Sequence, residues 1–172
     1  MKTAFFNGLN AGKLDFDYNI RYRPRVNVSL IGMERQMKYL FKNINFEHLY
    51  YVWENDSDSR HKHFHTLIKT NDNSLIEKLQ ENVKSTQNVI IDTRKAEYQK
   101  VKTLINPRNG EKNTTRVDWS EEIESKEIRG KHGVVYLEHI LSKTGSSIYA
   151  NKFTEYKQNF GYLDPALMYQ NP

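Results

Sequence analysis

His61, His63 and His65 alternate with Lys62 and Phe64 in the run from His61 to Thr70. In an extended strand, side chains two residues apart point the same way, so the three imidazoles face one side and Phe64 turns toward the core. Neighbouring imidazoles about 7 Å apart along a strand can converge on one ion, whereas the outer pair, about 13 Å apart, cannot. The third ligand is therefore expected from another strand. Glu54 ends the segment Phe46–Glu54, and the polar turn Asn55–Ser59 brings the chain back antiparallel beside it. Lateral strand spacing of roughly 5 Å then sets the Glu54 carboxylate near His63 and His65. His61 is the less favoured third ligand, left free to contact phosphate. Two imidazoles and a carboxylate suit a borderline-to-hard ion that keeps open positions, and Mg²⁺ or Mn²⁺ fits. The chain has no cysteine, which excludes disulfides and thiolate zinc sites.

Tyr51-Val52-Trp53-Glu54, the polar turn and His63-Phe64-His65-Thr66-Leu67-Ile68 together resemble the histidine motif of the HUH endonucleases, the rolling-circle replication initiators. In that family two histidines flank a bulky apolar residue and an upstream acid completes the metal site. The resemblance implies that a metal polarises a scissile phosphate and that a tyrosine on a later helix attacks it, leaving a 5′-phosphotyrosine. It implies single-stranded DNA at a phage or plasmid replication origin as the substrate. A tyrosine hydroxyl, with a pKa near 10, needs such help to act as a nucleophile.

The segment Val134–Lys143 reads as a helix with Val134, Leu137 and Leu141 inward and Tyr136, His139, Ile140 and Lys143 on another face. It resembles the tyrosine motif of the same family. Tyr136 is then the nucleophile, His139 stands where a lysine is expected, and Lys143 is the preferred auxiliary cation. In the initiators of small single-stranded DNA phages this motif repeats as Tyr-x-x-Lys-Tyr-x-x-Lys, and Ile140 at its second tyrosine position points to a single-tyrosine enzyme. The alternative nucleophile is Tyr149, in Tyr149-Ala150-Asn151-Lys152, with Lys152 as its cation. Histidines before tyrosine in chain order match initiators rather than conjugative relaxases. A transposase of the same superfamily and a non-catalytic single-stranded nucleic-acid-binding domain remain open alternatives.

Several elements must position these residues. Residues 1–25 lack clear periodicity and read as an N-terminal arm containing the basic stretch Arg21–Arg25. A strand is expected over Val26–Ile31, a helix over Met33–Ile44, and strands over Phe46–Glu54 and His61–Thr70. Asp72-Asn73 caps a helix over Ser74–Lys84. Asn88–Arg94 reads as a strand, residues 96–120 as two short strands around an Asn109-Gly110 turn, and Glu121–Arg129 as another strand. The tail 146–172 is polar and tyrosine-rich, with a second helix near residues 150–159. This order predicts one α+β domain over 1–172, an antiparallel sheet with helices on one face in ferredoxin-like topology.

Composition sets wider bounds. The 172 residues carry 26 Lys+Arg against 21 Asp+Glu, a net charge of +5, and 11 tyrosines. Basic surface and exposed rings are how single strands are gripped, so nucleic acid is a permitted partner. No apolar run reaches the length of a membrane span, and no signal peptide is legible. A cytoplasmic location in the host cell is expected. No Gly-x-x-x-x-Gly-Lys-Ser/Thr phosphate loop is present, so unwinding would fall to a host helicase.

Overall fold

In the stretch Tyr18-Asn19-Ile20-Arg21-Tyr22-Arg23-Pro24, apolar side chains alternate with polar ones, and this makes β1 (Tyr18–Pro24) the central strand of the fold. Ile20 and Tyr22 are buried while Arg21 and Arg23 are exposed on the other face. A computed structural model describes residues 1–10, 14–57, 59–140 and 152–168. Before β1 comes a helix, α1 (Lys2–Asn10), whose Phe5 and Phe6 are buried. The N-terminal segment is therefore an integral helix and strand, not an irregular arm. The arginines of β1 hid a period-two pattern that a search for hydrophobic runs passes over.

The strand expected over Val26–Ile31 does not form. Val26, Leu30 and Ile31 are exposed, and both edges of β1 are already paired with other strands. The helix α2 (Met33–Leu40) follows, then β2 (His48–Asn55), β3 (Lys62–Lys69) and α3 (Leu75–Asn82). These elements lie where the sequence reading put them. Asp72 caps α3 with its Oδ1, which accepts from the Ser74 N–H at 2.9 Å.

The middle of the chain is one long ribbon rather than several short strands. β4 (Ile90–Ile105) pairs along its whole length with β5 (Lys112–Arg129), from Ile90↔Glu127 to Ile105↔Lys112. Gly110 in their turn has φ 72°, a left-handed conformation that favours glycine. Only Ser125–Arg129 of β5 goes on to pair with the next strand, so the outer ribbon projects from the sheet.

That next strand is β6 (Gly133–His139), and here the structure overturns the expected helix. Val135 and Leu137 are buried on the face that also holds α2 and α3, while Tyr136 and Glu138 point to the opposite face. β-branched and aromatic residues favour the strand, and β1 needs a partner along this edge. Seven register pairs, from Tyr18↔His139 to Pro24↔Gly133, meet that need. The tail is also built into the sheet. Residues 152–155 form a helical turn, a 3₁₀ turn covers Lys157–Asn159, and β7 (Phe160–Leu163) pairs with β2 before a short α4 (Pro165–Met168).

The described residues form an α+β fold around one seven-stranded antiparallel sheet in the order β4-β5-β6-β1-β3-β2-β7. Its helices lie on both faces, which corrects the single-face expectation. Met37, Leu40, Leu75 and Leu79 of α2 and α3 pack on Ile20, Phe64 and Leu137. Phe5 and Phe6 of α1 and Phe153 pack on Tyr50, Val52 and Leu67 of the opposite face. Among the described residues, no helix is long and apolar enough to cross a membrane.

Candidate metal centre

The α1 face of the sheet carries, at one end, the side chains that the strand period sends there from β2 and β3. Glu54 is register partner of His63, and Val52 of His65, so the carboxylate and both imidazoles meet on adjacent strands. His63 Nε2 lies 2.5 Å from Glu54 Oε1, and His65 Nε2 lies 2.9 Å from the same oxygen. One ligand atom from each of the three residues falls within 4.8 Å of the others. Glu54 and His65 are buried and His63 is partly so. The trio could hold a metal ion, as the sequence reading expected.

His61 does not join it. Its Nε2 is 2.6 Å from the Pro24 carbonyl, to which it donates, and this holds the ring toward the end of β1. Asp56 stands behind His63. Its Oδ1 is 3.0 Å from His63 Nδ1, though not aligned as a hydrogen bond. A carboxylate behind a ligating imidazole orients the ring and raises its basicity. The other Asp56 oxygen pairs with Arg23 at 2.5 Å.

Electrostatics hold Glu54 and His65 in their ligating forms. Burial alone would raise the Glu54 carboxyl, but hydrogen bonds from Tyr156, Lys152, His65 and His63 outweigh it and hold the pKa at about 2. Burial pushes His65 down to about 4, against the opposing pull of Glu54. At neutral pH the centre thus offers a carboxylate and a neutral imidazole, the states a divalent ion requires.

Two further side chains arrive from the tail. Lys152 Nζ lies 2.9 Å from Glu54 Oε2 and 5.1 Å from the centre of the Tyr156 ring. The Tyr156 hydroxyl donates to Glu54, and this hydrogen bond raises the phenol pKa to about 12. Tyr156 was not singled out from the sequence. The available signal was its place four residues after Lys152 and seven after Tyr149, spacings that share one helical face.

Tyr136 lies on the same sheet face as the trio but two strands away. Arg21 is register partner of both His65 and Tyr136, so about 10 Å separates the outer two backbones. The Arg21 guanidinium sits 5.0 Å from the centre of the Tyr136 ring. His139 points to the opposite face and stacks on Tyr18 at 4.9 Å. The helical face expected to unite Tyr136, His139 and Lys143 therefore does not exist. Lys143 and Tyr149 lie outside the described residues.

No family model matches this chain, and no curated protein or solved structure matches it either.

Proposed function

We propose that this protein is a divalent-metal-dependent endonuclease that nicks and rejoins single-stranded DNA at a replication origin, of the HUH rolling-circle type. The observation that carries the reading is the convergence of Glu54, His63 and His65, without sulfur, beside a lysine and a tyrosine of the tail. The strand order β6-β1-β3-β2, with α2 and α3 as the crossovers, supports a ferredoxin-like core.

Bound by the trio, Mg²⁺ or Mn²⁺ would draw charge from the non-bridging oxygens of the scissile phosphate. Lys152 adds a positive charge at the same place, and the Asp56 carboxylate stands 3.0 Å behind His63. The nucleophile is a tyrosine hydroxyl. Its oxygen forms a bond to phosphorus, the P–O3′ bond breaks, and the products are a 5′-phosphotyrosine and a free 3′-hydroxyl. Attack of that hydroxyl in reverse rejoins the strand.

Tyr149 is the nucleophile in this proposal, because Lys152, its partner in Tyr149-Ala150-Asn151-Lys152, is the lysine beside the trio. This reverses the preference for Tyr136, whose assignment rested on a helix that is a strand. The test is incubation with single-stranded oligonucleotides and Mn²⁺, followed by peptide mapping of the covalent adduct. Tyr149→Phe should abolish the adduct, while Tyr136→Phe should keep it. An adduct mapped to Tyr156 would make Tyr156 the nucleophile and leave the enzyme class standing. Cleavage that persists in EDTA would overturn the reading, and metal-independent binding without cleavage would leave a single-strand binder.

A further inference from the structure

The ends of β1 and β3, the segment after α3 and the β5–β6 turn surround a cleft of about 1050 Å³. Its lining includes five cationic side chains, Arg23, Arg25, Lys84, Arg129 and Lys131, and no carboxylate. Arg23 and Arg129 are paired with Asp56 and Glu127. Among the described residues, no carboxylate forms an ion pair with Arg25, Lys84 or Lys131. Three cations that share a cleft without counter-charge repel one another and attract phosphate.

The backbone that carries them is tied down. The Lys131 N–H donates to the Lys84 carbonyl at 3.2 Å, His132 N–H to Val83 at 3.0 Å, and Arg25 N–H to His132 at 2.9 Å. A Cβ on Gly130 would strike the Val83 carbonyl, so only glycine lets the turn sit this close to the end of α3. Lys84 itself has φ 58°, just past the α3 C-terminus. Glycine is the lower-energy residue in that left-handed position. The chain keeps a lysine there, and its side chain lines the cleft.

The cleft also adjoins the metal centre. His61 lines it and is two residues from His63. Arg23 lines it and pairs with Asp56, whose other oxygen faces His63.

We propose that this cleft binds the sugar-phosphate backbone of the single strand next to its scissile phosphate, with Arg25, Lys84 and Lys131 each neutralising a phosphate. This rests on the reading of the protein as a DNA-nicking enzyme and names where its substrate strand runs. A cavity of this size exceeds what one phosphate fills and suits a short run of nucleotides.

The test measures fluorescence anisotropy of a labelled oligothymidylate of roughly 16 nucleotides, in EDTA, across a salt series. Each lost phosphate contact should reduce the slope of log K against log salt by about 0.7. The variant Arg25→Gln/Lys84→Gln/Lys131→Gln should therefore lose about 2 from that slope and bind at least tenfold more weakly at about 0.1 M salt. Lys100→Gln/Lys102→Gln/Lys112→Gln removes equal charge from the projecting ribbon and should bind within twofold of wild type. Lys84→Gly should melt no lower than wild type, since it relieves the left-handed residue, and yet bind more weakly. Equal weakening of both triple variants, unchanged binding by the cleft variant, or no binding by the wild type would each overturn the cleft. Adduct formation in Mn²⁺ reports on nicking separately. An adduct with unchanged cleft-variant binding sinks the cleft alone, and weakened cleft binding without any wild-type adduct sinks nicking alone.

Discussion

Glu54 and His61 show how one hydrogen bond decides a ligand set. The three histidines alternate in sequence, yet His61 lies just before β3 and is turned to the Pro24 carbonyl, while Glu54 Oε1 takes contacts from both His63 and His65. Glu54 supplies the only negative charge in the trio, and a hard cation depends on it. Glu54→Ala should therefore weaken Mn²⁺ binding at least tenfold in calorimetric titration, and His61→Ala by less than twofold. Removing the carboxylate behind His63 with Asp56→Ala should cost an intermediate amount, about tenfold, the usual effect of losing such a partner. The reverse order for Glu54 and His61 would mean that the site is built on three histidines.

Among the secondary elements, the start of α3 illustrates how much one side chain holds. Asp72 accepts from the backbone N–H groups of Asn45 and Ser74, each at 2.9 Å, and from Lys78 Nζ at 2.6 Å. It caps the helix and also pins the segment leading into β2. Burial would raise its carboxyl, but these donors outweigh it and lower the pKa below the usual carboxylate value. Asp72→Ala should destabilise the protein by about 1–2 kcal/mol at pH 7, measured by urea unfolding. A lowered folded-state pKa means that the stabilisation is complete above the unfolded value, about 3.9, and is lost as pH falls through the folded one. The gap between wild type and variant should accordingly shrink below about pH 4. A gap that holds constant into acid would show that the cap does not depend on the ionised carboxylate.

For the whole molecule, the decisive feature is the aromatic cluster that joins the two chain ends on one sheet face. Phe5 lies 4.4 Å from Tyr50, 5.4 Å from Phe153 and 5.0 Å from Phe160, measured between ring centres. Phe153 follows Lys152 directly, so α1 packs against the segment that delivers Lys152 and Tyr156 to Glu54. Phe5→Ala should cost about 3–5 kcal/mol in urea unfolding, as expected for a large ring removed from a core. At temperatures where the variant remains folded, the proposed cleavage should fall while Mn²⁺ affinity changes little, because the trio lies on β2 and β3. An equal loss of both would show that α1 supports the sheet generally and not the tail.

Sequence alone placed Glu54, His63 and His65 together, because the trio is local. Glu54 and His63 are nine residues apart across one turn, and strand period plus antiparallel return suffice to place them. The α2, β2, β3 and α3 elements were legible for the same reason, each carrying its own periodicity. Tertiary structure decided the rest. Val134-Val135-Tyr136-Leu137 has spacings that suit a helix, but an open edge of β1 more than a hundred residues earlier makes it β6. α1 is held by rings from β2 and the tail, contacts that no local pattern announces. Lys152 reaches Glu54 only because β7 pairs with β2 and brings the tail back to the sheet. Pairing between strands distant in sequence is settled by which edges remain open, and that is a property of the assembled sheet, not of any single segment.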